Sequence, residues 1–284
     1  MIRSAGLARF VAAQPAAIVA ELTRVRGSSP REQGAFMLVA PETLTGTIGG
    51  GALEHMVVHR ARQALREGLP PDVMDVPLGP EIGQCCGGRV AVTLKVLTPA
   101  LGAALVARLR GAEAGWPHVY LFGAGHVGKA LAQALVPLPL ALHVVDTRPD
   151  ELHDLPEGVD ARAVPMPEAV VRGAPRGSGY AILTHDHALD FLIAAEALKR
   201  TDSPYVGMVG SRTKRARFAS WFRAEGGSET ALARLVLPIG ALGLADKRPE
   251  VIAALAAAEI MVKMGRGDTA DMHNRESTPG AAVD

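Results

Sequence analysis

Cysteine is almost absent from this chain. It has two in 284 residues, Cys85 and Cys86, side by side. Adjacent cysteines cannot staple distant parts, so a disulfide framework is excluded. Neither sign of charge is in excess, with 30 Lys and Arg against 29 Asp and Glu and a formal net charge of +1. No uniform basic field therefore points to nucleic acid. The chain has no stretch of about 20 uncharged apolar residues, so no membrane-spanning helix is predicted. Arg3 and Arg9 flank too short an apolar run for a signal peptide. No internal repeat is visible. Hydrophobic residues make up 48% of the chain, enough for real cores and too many for global disorder. The length predicts about two domains of roughly 100–200 residues each. The expectation is a soluble, cytoplasmic, globular protein. Arginine outnumbers lysine, and its planar fork suits phosphate locally.

In the first 113 residues the pattern predicts a short helix over 2–13 and strands over 17–25 and 35–39. A helix through about residue 66 carries Leu53, Met56, Val57, Ala61 and Leu65 at helical spacing. Strands over 73–76 and 89–97 and a helix over 99–109 complete a small N-terminal mixed α/β domain with strands of mixed direction. Residues 111–117 read as the boundary.

A second domain, 118–264, follows. Val119-Tyr120-Leu121-Phe122 reads as a buried strand running straight into Gly123-Ala124-Gly125-His126-Val127-Gly128 and then a helical pattern. In a dinucleotide fold Gly123 allows the tight turn, Gly125 lets backbone approach a pyrophosphate, and Gly128 lets helix pack on strand. A second apolar strand ends at Asp146, roughly 20 residues on, where a ribose-binding carboxylate belongs. Strands near 161–164, 180–184, 205–209 and 235–240 alternate with helices near 168–172, 188–199, 214–225 and 249–264. That alternation predicts a Rossmann-like, doubly wound parallel sheet. Residues 265–284 are polar and read as a flexible tail. The fold class is α/β throughout.

Several clusters carry chemistry. Cys85-Cys86-Gly87-Gly88 places soft sulfur beside backbone that a ligand can approach closely. Thiolates suit soft metals and sulfur transfer, and Arg89 is placed to lower a thiol pKa. A buried small hydrophobe is the plainer reading of one cysteine. Gly49-Gly50-Gly51 ahead of a helix reads either as an anion nest or as a turn that needs glycine. Ser28, Ser29 and Arg31 in the preceding loop add hydroxyls and a guanidinium fork. His185-Asp186-His187 follows a strand's carboxyl end, where open α/β sheets place ligands. Its spacing suggests an orienting role at a pocket, with Asp186 equally readable as a helix N-cap. Ser211-Arg212-Thr213-Lys214 resembles another anion site.

Taken in order, these motifs resemble those of the xanthine dehydrogenase accessory proteins, the XdhC/CoxI family. The resemblance rests on Gly27-Ser28-Ser29-Pro30-Arg31, Gly46-Thr47-Ile48-Gly49-Gly50-Gly51-Ala52-Leu53-Glu54 and Gln84-Cys85-Cys86-Gly87-Gly88 in the first domain. In the second it rests on Gly123-Ala124-Gly125-His126-Val127-Gly128, Thr184-His185-Asp186-His187-Ala188-Leu189-Asp190, Gly207-Met208-Val209-Gly210-Ser211 and Pro238-Ile239-Gly240. The resemblance implies a chaperone that binds and protects the molybdenum cofactor, a molybdenum dithiolene pterin. It also implies cooperation with a cysteine desulfurase, delivery to the molybdenum subunit of xanthine dehydrogenase, and a homodimer. Cys86 matches the family's C-G-G pattern and is the candidate molybdenum ligand, Cys85 being the extra thiol. Ala241-Leu242-Gly243 departs from the acidic, Gly-rich continuation of many relatives. The competing reading is an NAD(P)-dependent oxidoreductase using the Rossmann domain, although no complete catalytic constellation is visible.

Overall fold

Two units make up the chain, Met1–Ala114 and Gly115–Asp284. The structure, a computed structural model, describes residues 2–70, 72–83, 87–241, 243–244 and 246–276. Cys85 and Cys86 lie outside the described residues, as do Leu242 and residues 277–284 of the polar tail.

The first unit runs α1 (Ser4–Ala13), β1 (Ile18–Arg26), β2 (Phe36–Val39), β3 (Leu44–Gly46), α2 (Gly51–Glu67), β4 (Asp72–Pro77), β5 (Arg89–Val96) and α3 (Pro99–Ala114). Its sheet has the order β3-β2-β1-β5-β4. Each neighbouring pair is antiparallel, which corrects the expectation of mixed directions. Short connections explain part of it, since β1, β2 and β3 are joined by loops too short for the crossover that parallel strands need. Alternation along β1 sends Ile18, Ala20 and Leu22 to one face, with Leu53, Val57 and Ala61 of α2. Val19 goes to the other face, with Leu7 of α1 and Leu105 and Val106 of α3. A sheet covered on both faces accounts for the nearly unbroken apolar run at the start of β1.

The second unit runs β6 (His118–Phe122), α4 (His126–Leu135), β7 (Ala141–Asp146), β8 (Asp160–Ala163), α5 (Pro167–Gly173), β9 (Gly179–Ile182), α6 (His187–Lys199), β10 (Val206–Met208), α7 (Arg212–Ala224), α8 (Glu229–Ala233), β11 (Leu235–Val236) and α9 (Pro249–Glu276). Six parallel strands lie in the order β11-β10-β9-β6-β7-β8. Leu121, Val144 and Ala181 face α4 and α9, meeting Leu131, Leu135 and Ile260. Tyr120, Val145 and Ile182 face the opposite way, meeting Ile193 of α6 and Phe218 and Phe222 of α7. The sheet is therefore doubly wound, as predicted. The pattern ends α9 at Met264, whereas the helix continues to Glu276. No proline intervenes, and Gly265 and Gly267 weaken a helix without the steric clash that stops one.

Strand order fixes where a ligand belongs. The chain leaves β6 for β7 and β8, then returns to place β9 on β6's other side. The carboxyl ends of β6 and β9 thus flank the topological switch point.

Candidate functional site

In the first unit, two loops and a helix start come together at one end of the sheet. A Cβ on Gly88 would collide with the Ser28 carbonyl and lie 2.8 Å from that of Arg26. One on Gly49 would lie 2.9 Å from Cγ of Pro30. So the Gly27–Arg31 loop packs against Gly88 on one side and Gly49 on the other, although these stretches are far apart in sequence. Gly49, Gly50 and Gly51 all have positive φ, at 133°, 82° and 64°, a run that only glycine adopts without strain.

That glycine run combines a turn with a set of converging amides. The turn does need glycine, and its amides do form a nest, but the nest already holds an anion. Oε1 of Glu54 accepts from the Thr47 hydroxyl at 2.5 Å, from Ile48 N at 2.9 Å and from Gly49 N at 3.2 Å. Burial pushes this carboxyl's pKa up, but hydrogen bonds from Thr47 and the Ile48, Gly50 and Gly49 amides outweigh it and hold the pKa below the usual range. Gly50 stays open, since a Cβ there would meet nothing within 4 Å. The Ser29 Oγ is buried and has no hydrogen-bond partner among the described residues. Arg31 lines a cavity of about 570 Å³ with Pro30, Gln33, Phe36, Thr47 and Arg108. The Arg108 guanidinium lies 4.7 Å over the Phe36 ring and donates to Glu21 at 2.6 Å.

In the second unit the glycine turn has the geometry its spacing predicts. Gly123 has φ 110°, and a Cβ there would lie 2.5 Å from the Leu183 carbonyl at the end of β9. A Cβ on Gly128 would strike the Gly123 carbonyl, so α4 packs on β6 only with glycine there. Around Gly125 nothing lies within 4 Å of that position. This is the division of labour expected of the three glycines.

Asp146 ends β7 beside this turn and is 4% exposed. Its Oδ2 accepts from Ala124 N at 2.7 Å and Arg148 Nη2 at 3.1 Å. Its Oδ1 accepts from Arg148 N at 2.9 Å and Arg148 Nε at 3.1 Å. Burial works against the charge, but Arg148 and the Ala124 amide hold the carboxyl below its ordinary pKa.

His185 and His187 are both exposed, on either side of Asp186. Asp186 is the N-cap of α6, its carboxylate accepting from Ala188 N at 2.7 Å. His187 lines a cavity of about 410 Å³ with Phe191, Leu192, Arg217 and Trp221. Among the described residues no group of three His, Cys, Asp or Glu is placed to hold a metal ion.

The Ser211–Lys214 cluster is not an open anion site. The Ser211 hydroxyl caps α7 by accepting from Lys214 N at 3.2 Å. The Lys214 side chain turns inward, where its Nζ donates to Asp190 and to the Val209 carbonyl at 2.9 Å. Asp190 in turn accepts from the Thr184 hydroxyl at 2.7 Å and its amide at 3.1 Å. This buried pair was missed in the sequence, which shows two charges 24 residues apart and not their partnership. Glu54 and Arg148 were missed too. For Glu54 a signal existed: an acid three residues into a helix is where a carboxylate can reach back to free amides.

An antiparallel α/β unit followed by a glycine-turn Rossmann unit defines a two-unit class of protein with its glycine-rich motifs at sheet ends. The chain belongs to the XdhC and CoxI family. Residues 119–260 match the XdhC Rossmann domain and residues 10–76 match the XdhC and CoxI family domain. It is 28% identical over 253 residues to the uncharacterized protein YqeB of Escherichia coli K12, an alignment covering 86% of this chain and 42% of that protein. The chain thus spans less than half the length of that relative. A crystal structure of a protein described as a xanthine dehydrogenase from Bacillus halodurans shares the fold, with a TM-score of 0.71 and 21% identity. That superposition covers 94% of this chain and 96% of the other. Among the described residues no helix is long and apolar enough to cross a membrane.

Proposed function

We propose that this protein is a molybdenum cofactor chaperone that holds and shields the cofactor, supports its sulfuration by a cysteine desulfurase, and delivers it to the molybdenum subunit of xanthine dehydrogenase. The family is linked to xanthine dehydrogenase maturation, which supports the reading at its coarsest level. The observation that carries it further is the packing of the Gly27–Arg31 loop against both Gly49 and Gly88. Gly88, two residues past Cys86 in the sequence, is itself packed against the Ser28 carbonyl.

The residues at that end suit such a group. Ser29 offers a buried hydroxyl without a partner among the described residues, Gly50 leaves open space beside its Cα, and Arg31 offers a guanidinium beside a cavity. A soft thiolate suits molybdenum or sulfur, which is the role proposed for Cys86. When bound, the cofactor would supply a molybdenum centre with an exchangeable terminal ligand. The chain's own part is to bind the phosphate and pterin polar edges and to exclude water. A homodimer working in the cytoplasm is the proposed setting.

The test is direct. Purified protein is incubated with molybdenum cofactor, freed of excess by gel filtration, and assayed for molybdenum and oxidised-pterin fluorescence. Near-equal amounts of both in the protein peak are expected, with clear loss in Cys86→Ala. Neither signal in the protein peak overturns the reading. The oxidoreductase alternative draws on the glycine turn. Hydride transfer from NAD(P)H to any of a panel of substrates would favour it.

A further inference from the structure

The second unit has half of a dinucleotide site in full working geometry. Gly123, Gly125 and Gly128 make a turn that backbone can present to a pyrophosphate, at the switch point of the sheet. The other half of such a site is a carboxylate at the end of the second strand, with lone pairs free to accept the two hydroxyls of the adenosine ribose. Asp146 stands at that position. Its lone pairs are not free.

An ionised carboxylate offers about four acceptor sites. Asp146 fills four: Ala124 N and Arg148 Nη2 on Oδ2, Arg148 N and Arg148 Nε on Oδ1. Ribose hydroxyls arriving as donors would have to displace a two-pronged guanidinium–carboxylate contact, among the strongest hydrogen-bonded pairs in proteins. A 2′-phosphorylated ribose fares no better. Arg148, the residue that would greet such a phosphate, is held on its other edge by Glu151 at 3.2 Å. Lys129 of α4 is likewise turned to acids, lying 3.6 Å from Glu151 and 3.4 Å from Asp154. An added dianion would therefore meet two carboxylates around one guanidinium.

We propose that Arg148 converts Asp146 from a ribose acceptor into a latch that fastens the glycine turn to the end of β7, and so excludes the ribose of NAD(H) and NADP(H) from this crevice. The contact to Ala124 N is what makes it a latch. It ties the turn itself, one residue past Gly123, to the neighbouring strand. The specificity of the unit then lies with Arg148, a residue outside the glycine motif. This inference stands apart from the cofactor reading, because its assays contain no molybdenum and no pterin.

Titration of the full-length protein with NAD⁺, NADH, NADP⁺ and NADPH, followed by calorimetry and by NADH fluorescence, tests it. The wild type is expected to bind none of the four saturably up to about 1 mM. Arg148→Ala frees one acceptor site on each carboxylate oxygen, the two backbone amides keeping the others, and is expected to bind NADH at least roughly tenfold more tightly than that limit. The gain should vanish in the Asp146→Asn, Arg148→Ala double variant. Arg148→Lys keeps a cation for the fold while giving up the planar two-pronged contact, and stands in if the alanine variant does not fold. Saturable binding of any of the four nucleotides by the wild type below about 1 mM overturns the proposal. So does the absence of any gain in a folded Arg148 variant.

Discussion

Glu54 reaches back from the first turn of α2 to Gly49, whose amide donates to its Oε1 at 3.2 Å. With Thr47 and Ile48 donating to the same oxygen, the carboxylate fills the glycine nest that the sequence offers to an external anion. Replacing Glu54 with Ala leaves several donors unpaired, a loss of about 1–3 kcal/mol. Glu54→Gln keeps one acceptor and should lose less. The folded-state pKa lies below the ordinary glutamate value of 4.5. The stabilisation is therefore complete above that value and lost as pH falls through the folded pKa. Urea unfolding of wild type and Glu54→Gln between pH 3 and 7 checks this, the expected result being a stability gap that closes in acid.

The buried pair of Lys214 and Asp190 makes a different kind of prediction. Their side chains are 8% and 0% exposed. Removing one partner strands a charge in the interior at a loss of about 3–5 kcal/mol, whereas replacing both with apolar residues of similar volume is often near neutral. Lys214→Met and Asp190→Leu should each destabilise strongly, and the double variant should recover much of the loss. A double-mutant cycle by chemical denaturation measures the coupling. Strictly additive losses would mean that the two charges do not depend on each other.

Legibility in the sequence followed the range of the interactions. The β6–turn–α4 unit was readable because its signals, an apolar run and three spaced glycines, lie within a dozen residues. Asp146 was placed correctly by spacing alone. What its carboxylate binds was not readable, because Arg148 has to fold back on it to form the contact. The three-residue β3 and five-residue α8 escaped notice, being shorter than one period of pattern can establish. Strand direction in the first unit depends on β1 choosing β5 as a neighbour across more than 60 residues, which no local pattern records. The glycines at 49–51 announced a turn, but only the fold reveals that Glu54 occupies it.

A chain of imidazoles at the other end of the second sheet gives a pH signature. Asp160 Oδ2 lies 2.7 Å from His143 Nδ1, and His143 Nε2 lies 2.9 Å from His118 Nδ1. An ionised carboxylate only accepts, so the logic of the network puts the proton on His143 Nδ1 and has His118 Nδ1 donate to His143 Nε2. Burial, and then the neighbouring His143, lower the His118 pKa from the ordinary histidine value of 6.5. The unfolded chain then binds the proton more tightly than the folded one. Stability is complete above about pH 6.5 and declines as pH falls from there through the folded pKa. In His118→Phe that decline should be shallower. Thermal unfolding between pH 5 and 8 measures it, and an unchanged slope would remove His118 from the account.

Ser29 separates the needs of the fold from the needs of a ligand. A buried hydroxyl without a hydrogen-bond partner is a net cost to the folded state, because it has given up its water and received nothing in return. Its neighbours offer no remedy among the described residues. Removing it should therefore leave the protein alone no less stable, and up to about 1–3 kcal/mol more so. If the hydroxyl is kept for a cofactor, the same substitution should weaken retention of molybdenum and pterin after gel filtration. Ser29→Ala is thus expected to move the two measurements in opposite directions. A variant that is both more stable and fully competent to retain the cofactor would show that Ser29 serves neither purpose, and the proposed site would then have to rest on Arg31 and the thiols.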